Sequence, residues 1–585
     1  MRPLQLPALA AALAVLAVGC ASLPESSAAT VLRKVPLVGR IAEQPNIRQD
    51  VPPPPQDGRP DEIVAGFLTA LTVADQGHDR ARAFLTRQER LRWRDDAQVI
   101  VTENAPAVGK PDAAQRVPVT FRPVGVVHRD GSYQPATGPA ADRVSWLLPM
   151  SREFGQWRIA GLPKTAGVVL SLAQFERIYQ AFPVYFLDPS GQRVVPDPRY
   201  LSSDSQALPT QLVQALLAGP SDWLAPVARS ALGAPVSLLN VTVGIDRVVS
   251  VDMSGLNLLP ETQRRLALAQ LAWTLTSQLV VTGMRITSDG RPVDLPEAQR
   301  PVSFTAFGGF DPDAAPSNVT VYFVRDGAVF TLDGRRLPGP AGRGGYRLDS
   351  VAISDDQLAL AGVADSPGGD TLYLGPLRAA LDPVLSARSL SRPTWDRASS
   401  SFWVVRDGTQ VVQVTLDGRI GTVGLDRGNL VGPIGAVRMS RDGVRVAVLA
   451  GLPGGQRLYV GRVRSRVAEG GRPVTVVLEA MRQIGGGLVD VRDVAWASSV
   501  TLDVVGREAS GKLAVWQVPV DGAGEPEPFS LGGLPGPPVA VAAADNLTPV
   551  VEAASGTLWV RGSQLPWVSP QHESTVPGHD PTYPG

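Results

Sequence analysis

Cysteine, lysine and histidine are all scarce in this chain of 585 residues. The one cysteine excludes a disulfide framework and a cysteine-based metal site. Lysine occurs only at positions 34, 110, 164 and 512, so arginine supplies nearly all of the positive charge. The 55 basic and 55 acidic residues give a net charge of zero, which indicates neither a nucleic-acid partner nor a basic membrane-binding face.

Neither the histidine spacing nor any sequence motif indicates a catalytic or metal site. His78, His128, His572 and His579 do not show the close His-x-His or His-x-x-x-His spacing of zinc ligands. The chain also has no Gly-x-Ser-x-Gly elbow and no glycine-rich phosphate loop followed by Lys-Ser or Lys-Thr. We therefore predict that the chain holds no metal or cofactor and is not an enzyme.

Two acidic pairs remain as candidates for acid and base chemistry or for calcium binding. Asp95-Asp96 is interpreted as a solvated helix end and Asp355-Asp356 as turn residues. Glycoside hydrolysis needs two carboxyl groups on opposite sides of a cleft, and a sequence alone does not show such a pair. An envelope hydrolase therefore stays open as an alternative.

The N-terminus has the pattern of a secretory signal. Arg2 precedes an almost wholly apolar run from Leu4 to Val18, which is too short for a comfortable membrane span. The run ends Leu16-Ala17-Val18-Gly19-Cys20, which resembles the bacterial lipobox, with Ala17 standing where leucine is usual. The resemblance implies a signal peptide over residues 1–19, cleavage between Gly19 and Cys20, and S-diacylglycerol and N-acyl (palmitate) groups on Cys20. A buried core helix with an incidental cysteine is the other interpretation.

Residues 20–57 are predicted to form a flexible tether. They are small and polar and end near Pro52-Pro53-Pro54-Pro55, which favours extended polyproline II.

A small α+β domain is predicted over 58–165. Its first helix has Ile63, Phe67 and Leu71 on one face, a second helix is expected from Asp79 to Trp93, and strands follow.

A second α+β domain is predicted over 178–301. It contains the phrases Val184-Tyr185-Phe186, Leu216-Leu217-Ala218-Gly219-Pro220, Val249-Ser250-Val251-Asp252 and Ala267-Leu268-Ala269-Gln270-Leu271. In this order they resemble the GerMN domain of spore-germination proteins. The resemblance implies a binding module outside the cytoplasm, without established catalytic residues.

The third region, 302–568, is predicted to be an all-β propeller of about five or six blades. Equivalent positions 352, 395, 438, 495 and 541 recur at intervals of roughly 43, 43, 57 and 46 residues. A period near 45 residues with about four strands is typical of a propeller blade. A short helix is expected around Glu479–Gln483, and unrelated hairpins in a β-sandwich are the other interpretation. Residues 569–585 are predicted to be a disordered tail.

The whole order of segments resembles the LpqB family of actinobacterial lipoproteins. The residues that carry this resemblance are Leu16–Cys20, the GerMN phrases, and the propeller repeats from Val351 to Val541. The family implies a chain that is lipid-anchored on the extracytoplasmic face of the cell membrane. It also implies binding to the extracytoplasmic part of the sensor histidine kinase MtrB, with effects on two-component signalling, cell envelope and division. A cell-wall or glycan-binding lipoprotein is a further alternative.

Overall fold

The computed structural model describes most of the chain from residue 51 onwards. The signal peptide predicted for 1–19, Cys20 and most of the tether lie outside the described residues. The described segments are 51–73, 76–202, 207–315, 318–467, 473–562, 566–571 and 575–585.

The first domain carries four short α-helices and two small sheets around one apolar core. The strand orders are β5-β4-β1-β8 and β2-β3-β6-β7, and β1 pairs with β8 in parallel. Its elements in chain order are α1 (Pro60–Ala70), α2 (Asp79–Arg82), α3 (Arg87–Arg92), β1 (Gln98–Thr102), β2 (Ala107–Val108), β3 (Arg116–Phe121), β4 (Pro123–His128), β5 (Tyr133–Pro135), β6 (Val144–Glu153), β7 (Gln156–Ile159), β8 (Val168–Ser171) and α4 (Leu172–Ile178).

The single helix predicted from Asp79 to Trp93 is wrong. The chain leaves the helix after α2 because the Thr86 amide donates to the Ile159 carbonyl at 2.9 Å, as a strand residue would. The Thr86 hydroxyl then accepts a hydrogen bond from the Glu89 amide and caps α3.

The last residues of the predicted tether contact the first domain. Val51 packs partly against its core, and the Asp57 amide donates to Gln156 Oε1 at 2.8 Å. The prediction of a free tether over 20–57 is therefore corrected at its C-terminal end. The domain also continues beyond residue 165, because β8 pairs with β1 and Phe175 of α4 is buried in the core.

The second domain packs helices against a four-stranded sheet, β11-β12-β13-β14, and a separate β9–β10 pair. The parallel strands β12 and β13 are joined through a helix that runs over the sheet. The elements are β9 (Tyr179–Leu187), β10 (Val194–Ser202), α5 (Leu208–Ala218), β11 (Ser237–Val243), β12 (Val248–Ser254), α6 (Glu261–Thr276), β13 (Gly283–Ser288) and β14 (Arg291–Pro292).

Helix α6 is the centre of this domain. Its residues from Ala267 to Thr276 are all buried, including three polar side chains that need partners. Thr276 donates to the Ala272 carbonyl of the preceding turn. Gln270 accepts a hydrogen bond from the Ala231 amide and donates to the Tyr185 carbonyl, and the Tyr185 amide donates to the Thr274 hydroxyl. The two bonds with Tyr185 fix the position of β9 along helix α6.

The propeller begins later than the predicted residue 302. Val302 and Phe307 belong to the core of the second domain, and Trp273 of α6 donates to the Phe307 carbonyl at 3.1 Å. The first propeller strand starts at Tyr322.

The described residues of the propeller form six sheets of three to five strands. Their strand orders are β16-β15-β39, β17-β18-β19-β20, β21-β22-β23-β24, β25-β29-β28-β27-β26, β30-β31-β32-β33 and β34-β35-β36-β37, where β38 also pairs with β36. The strands are β15 (Tyr322–Arg325), β16 (Ala328–Thr331), β17 (Ser350–Ile353), β18 (Ala359–Ala364), β19 (Asp370–Pro376), β20 (Asp382–Ala387), β21 (Thr394–Trp395), β22 (Ser401–Arg406), β23 (Gln410–Thr415), β24 (Ile420–Thr422), β25 (Gly424–Leu425), β26 (Ile434–Met439), β27 (Arg445–Ala450), β28 (Arg457–Val467), β29 (Pro473–Ile484), β30 (Leu488–Ser498), β31 (Thr501–Glu508), β32 (Leu513–Pro519), β33 (Glu527–Pro528), β34 (Pro538–Ala542), β35 (Val550–Ala553), β36 (Thr557–Arg561), β37 (Trp567–Val568), β38 (Val576–Pro577) and β39 (His579–Thr582).

The six sheets close into a ring. The inner strands β39, β17, β21, β26, β30 and β34 each lie beside the next, and β34 returns to β39. The fold class predicted from the sequence, two α+β domains followed by an all-β propeller, is confirmed.

Two local predictions in the propeller are wrong. Residues 479–483 lie in the long strand β29 and not in a helix, because they pair along β28. The disordered tail predicted for 569–585 contains β38 and β39, and β39 pairs antiparallel with β15. The chain end thus supplies the inner strand of the first blade. Among the described helices, none is long and apolar enough to cross a membrane.

Candidate functional site

Among the described residues, those singled out in the sequence do not form one site. Cys20, Gly19 and His572 lie outside the described residues. His78 contacts Asp95 at 3.0 Å, His128 lies 3.1 Å from the Gln134 amide oxygen, and His579 lies on β39. Within the described segments, no three His, Cys, Asp or Glu residues are grouped as metal ligands.

The acidic pairs only partly behave as predicted. Asp356 accepts a hydrogen bond from the Leu358 amide at 3.0 Å, which is the expected turn role. Asp355 instead pairs with Arg441 at 2.8 Å and with Arg397 at 3.4 Å. Asp95 is also not solvated, since its carboxylate is 18% exposed and pairs with Arg82 at 2.6 Å.

The central channel of the propeller is filled by charged side chains. Arg392 pairs with Asp493 at 3.2 Å and with Asp580 of β39 at 2.6 Å, and Arg438 reaches the same Asp493 at 3.4 Å. Burial lowers the pKa of Arg438 to about 10, with the neighbouring Arg392 acting in the same direction. Arg438 therefore stays cationic at neutral pH, and the network ties β39 to the inner strands of other blades.

The chain end blocks what remains of the channel. The Gly585 amide donates to the Ile353 carbonyl at 2.9 Å, and the Tyr583 hydroxyl donates to the Thr548 carbonyl at 2.7 Å. The cavity left beside residues 581–585 measures about 60 Å³, enough for one or two water molecules. Beside residues 581–585 the channel is therefore filled by the protein itself, whereas a larger cavity of about 900 Å³ borders Asp580 and Glu552.

The propeller aromatics that might have formed binding anchors are mostly blade core. Trp559 is only partly buried. The buried ones are Trp395, Phe402, Trp403, Trp496, Trp516 and Trp567.

A larger cavity, of about 470 Å³, lies where the three domains meet; we call it the junction cleft. Its walls come from the β4–β5 turn of the first domain, from β10 and the segment after α5 of the second, and from β29 and the end of β32 in the propeller. Its lining side chains include Asp130, Tyr133, Asp197, Trp223, Arg482 and Asp521. Ligand pockets in proteins commonly have this size and this position between domains.

Arg199 holds the first two domains together behind the junction cleft. Its guanidinium is 1% exposed and pairs with Asp130 at 2.5 Å and Asp197 at 2.7 Å. Burial opposes ionisation of Asp130, yet the Arg199 charge and the Ser132 hydroxyl hold the pKa of that carboxyl below its ordinary value. Asp197 also accepts hydrogen bonds from the Ser221 amide and hydroxyl. Both carboxylates are thus fully engaged.

The propeller side of the junction cleft is fixed to the second domain. The indole of Trp223 donates to the Ala480 carbonyl at 2.9 Å, and Arg462 donates to the Trp223 carbonyl at 2.5 Å. The buried Arg445 donates to the Pro196 carbonyl while it pairs with Asp442. These contacts make the cleft walls a preformed surface rather than a set of loops.

Comparison with known proteins agrees with this domain order. The model for the LpqB β-propeller domain matches residues 327–584, the model for the LpqB N-terminal domain matches 53–176, and a model described as sporulation and spore germination matches 183–294. A lipoprotein LpqB of Rhodococcus opacus is 30% identical over 546 residues, which cover 88% of this chain and 87% of the relative. The chain belongs to the LpqB lipoprotein family.

Other relatives extend the match along the whole chain. The lipoprotein LpqB of Mycolicibacterium smegmatis is 31% identical over 76% of this chain and 78% of the relative. That of Streptomyces coelicolor is 28% identical over 100% of this chain and 98% of the relative. The name that LpqB proteins share implies a membrane anchor.

Solved structures show weaker likeness. TolB of Acinetobacter baumannii covers 60% of this chain and 98% of its own, with 13% identity and a TM-score of 0.23. The tandem GerMN domains of GerM from Bacillus subtilis cover 26% of this chain and 58% of their own, with 18% identity and a TM-score of 0.18.

The sequence did not reveal the junction cleft of this LpqB protein. Arg482, Asp521 and Trp223 carry no motif, and they come from distant parts of the chain. Only the docking of the domains brings them together. The one available signal was Trp223, a tryptophan that follows two polar residues just after Gly219-Pro220.

Proposed function

We propose that this LpqB protein is an extracytoplasmic accessory protein, lipid-anchored through Cys20, that binds and modulates a membrane sensor histidine kinase of the MtrB type without being an enzyme. Binding to one state of the kinase more tightly than to the other would shift the population of the two states. A lipid anchor would confine the protein near its membrane partner and so raise the effective concentration for binding.

The observation that supports this proposal is an exposed apolar edge strand. Strand β11 is the outer strand of its sheet in the second domain, so one row of its backbone groups has no strand partner among the described residues. Leu239 and Val243 on β11 are 54% and 50% exposed, and Ile245 in the following turn is fully exposed. Exposed apolar edge strands favour pairing with another chain.

The docked arrangement of the domains would present this edge as a rigid surface. The contacts of Trp223 and Arg445 with the propeller fix the second domain, so little order would be lost when a partner binds. Partner binding through a preformed edge needs no catalytic group, in accord with the proposed role.

The test is binding of the full chain, in detergent micelles, to the purified extracytoplasmic domain of the cognate kinase. We expect a Kd of about 1 μM or tighter, and a loss of roughly tenfold or more in the Val243→Asp and Ile245→Asp variants. Leu452→Asp, at a 71% exposed apolar position in the propeller, is the matched control and should bind like the parent. Absence of binding by the folded parent would overturn the proposed function; equal binding by all variants would remove β11 from the interface.

A further inference from the structure

Arg482 is a guanidinium without an acidic partner. It lies over the Trp223 ring at 5.0 Å and reaches the Tyr133 carbonyl only at 3.5 Å. No carboxylate of the described residues forms a salt bridge with it. Burial lowers the pKa of Arg482 to about 10, with the Asp521 and Asp197 charges opposing that shift, so the group is still cationic at neutral pH. A partly buried cation is costly unless an anion pairs with it.

Asp521 lines the same junction cleft and is also incompletely satisfied. It is partly buried, and its Oδ1 accepts a hydrogen bond from the Ala523 amide at 3.1 Å. Its Oδ2 has no hydrogen-bond partner among the described residues. Burial raises the pKa of Asp521, while the Ala523 amide, the Tyr200 hydroxyl and the Arg482 charge oppose that shift. The Oδ2 atom is an acceptor that a ligand hydroxyl or amide N–H can reach from the cleft.

The other charged groups of the junction cleft already have partners or lie at its rim. Asp130 and Asp197 share Arg199, and Arg445 pairs with Asp442. Arg129 contacts Asp96 at 3.1 Å, and Asp222 is exposed to solvent. Arg482 is therefore the cationic group of the cleft that forms no salt bridge with a described residue.

We propose that the junction cleft is a binding site for a small organic anion of sugar-acid or sugar-phosphate size, whose carboxylate or phosphate pairs with Arg482 and whose hydroxyl or amide N–H donates to Asp521 Oδ2. A planar guanidinium matches both kinds of anion through paired hydrogen bonds. The polar lining, which includes Gln134 and Ser221, suits the remaining hydroxyl and amide groups, and about 470 Å³ suits one or two sugar rings. This site is independent of the kinase-binding role proposed above.

Three probes separate the anion from the sugar. N-acetylmuramic acid carries a carboxylate, N-acetylglucosamine 1-phosphate carries a phosphate, and N-acetylglucosamine is the neutral counterpart of both. Each is titrated by calorimetry into the full chain in detergent micelles. We expect at least one anionic probe to bind with a Kd of about 1 mM or tighter, and at least tenfold more tightly than the neutral sugar. Preference between the two anions identifies which acidic group the cleft selects.

Variants assign the binding to the junction cleft. Arg482→Gln should lower the affinity for the anionic probe at least tenfold, and Asp521→Asn, which keeps the side-chain shape, should lower it severalfold. Arg419→Gln removes a 78% exposed arginine elsewhere in the propeller and should have no effect. If Arg482→Gln does not fold, the test uses Asp521→Asn instead, and an unchanged melting temperature shows that this variant is folded.

Three results would overturn the proposal. The first is no binding of either anionic probe at about 10 mM. The second is equal affinity for the neutral sugar. The third is unchanged affinity in folded Arg482→Gln or, where that variant does not fold, in Asp521→Asn.

Discussion

The buried ionisable residues of this protein differ in whether an ion pair and hydrogen bonds stabilise their charge. Arg445 and Asp442 are both almost completely buried, but each satisfies the other and the backbone around it. Asp503 on β31 is buried without such help, and both of its carboxyl oxygens lack a hydrogen-bond partner among the described residues. Burial raises the pKa of Asp503 to about 7, so the folded chain keeps this carboxyl protonated where the unfolded chain would ionise it.

This raised pKa predicts a stability that falls with pH. Between about pH 4 and pH 7 the unfolded state binds fewer protons at this site than the native state, so the free energy of unfolding decreases as pH rises, by up to about 1.4 kcal/mol per pH unit. The free energy of unfolding, measured in urea at pH 5 and at pH 7, should decrease less between these two values in Asp503→Asn than in the parent. Asp417→Asn, at an exposed turn, is the control. Identical pH dependence in Asp503→Asn and the parent would contradict the prediction.

Arg445 gives a second prediction at the residue scale. Its replacement by methionine leaves Asp442 as a buried carboxylate without its counter-ion and removes the hydrogen bond to the Pro196 carbonyl. We expect Arg445→Met to destabilise the protein by about 3–5 kcal/mol, measured by urea unfolding with tryptophan fluorescence. The exposed arginine variant Arg419→Met should change the free energy of unfolding by less than about 0.5 kcal/mol. A loss in Arg445→Met as small as that of the control would show that the pair does not support the fold.

At the scale of elements, the spacing of apolar residues predicted a helix correctly where the helix depends on its own sequence. It failed where a distant segment supplies the hydrogen bonds. Helix α1 was predicted because Ile63, Phe67 and Leu71 recur at helical spacing, and in the structure they meet a continuous core. The helix expected through Thr86 failed because a strand from a distant part of the sequence, β7, takes its amide hydrogen bond. The prediction of a disordered tail was wrong for the same reason. Strand β39 is ordered by its pairing with β15 and by the ion pair of Asp580 with Arg392, which its own composition does not reveal.

Strand β39 should therefore contribute strongly to propeller stability. A chain truncated after residue 575 loses the pairing with β15 and the Asp580 charge that faces Arg392. We expect its melting temperature, followed by near-ultraviolet circular dichroism, to fall by about 10 °C or more. Removal of residues 584–585 alone keeps β39 and should have a smaller effect. Equal melting temperatures for the parent and the longer truncation would contradict ring closure by β39.

At the scale of the whole molecule, the three domains are held in one arrangement by polar contacts between buried groups. Arg199 joins the first domain to the second, and Arg445, Arg462 and Trp223 join the second to the propeller. The domain order could be predicted from repeats and phrases in the sequence. The junction cleft could not, because the relative placement of domains depends on single contacts such as Arg199 with Asp130, which leave no periodic pattern.

The central claim is that a lipid-anchored protein of this family modulates a sensor kinase, and reconstitution tests it most directly. The full-length kinase is placed in liposomes with the lipidated parent or with Cys20→Ala, and kinase autophosphorylation is measured. The account predicts that the lipidated parent changes the rate severalfold at protein concentrations where Cys20→Ala has little effect, since the anchor supplies the effective concentration. An unchanged rate with the lipidated, folded parent bound to the same liposomes would contradict the account.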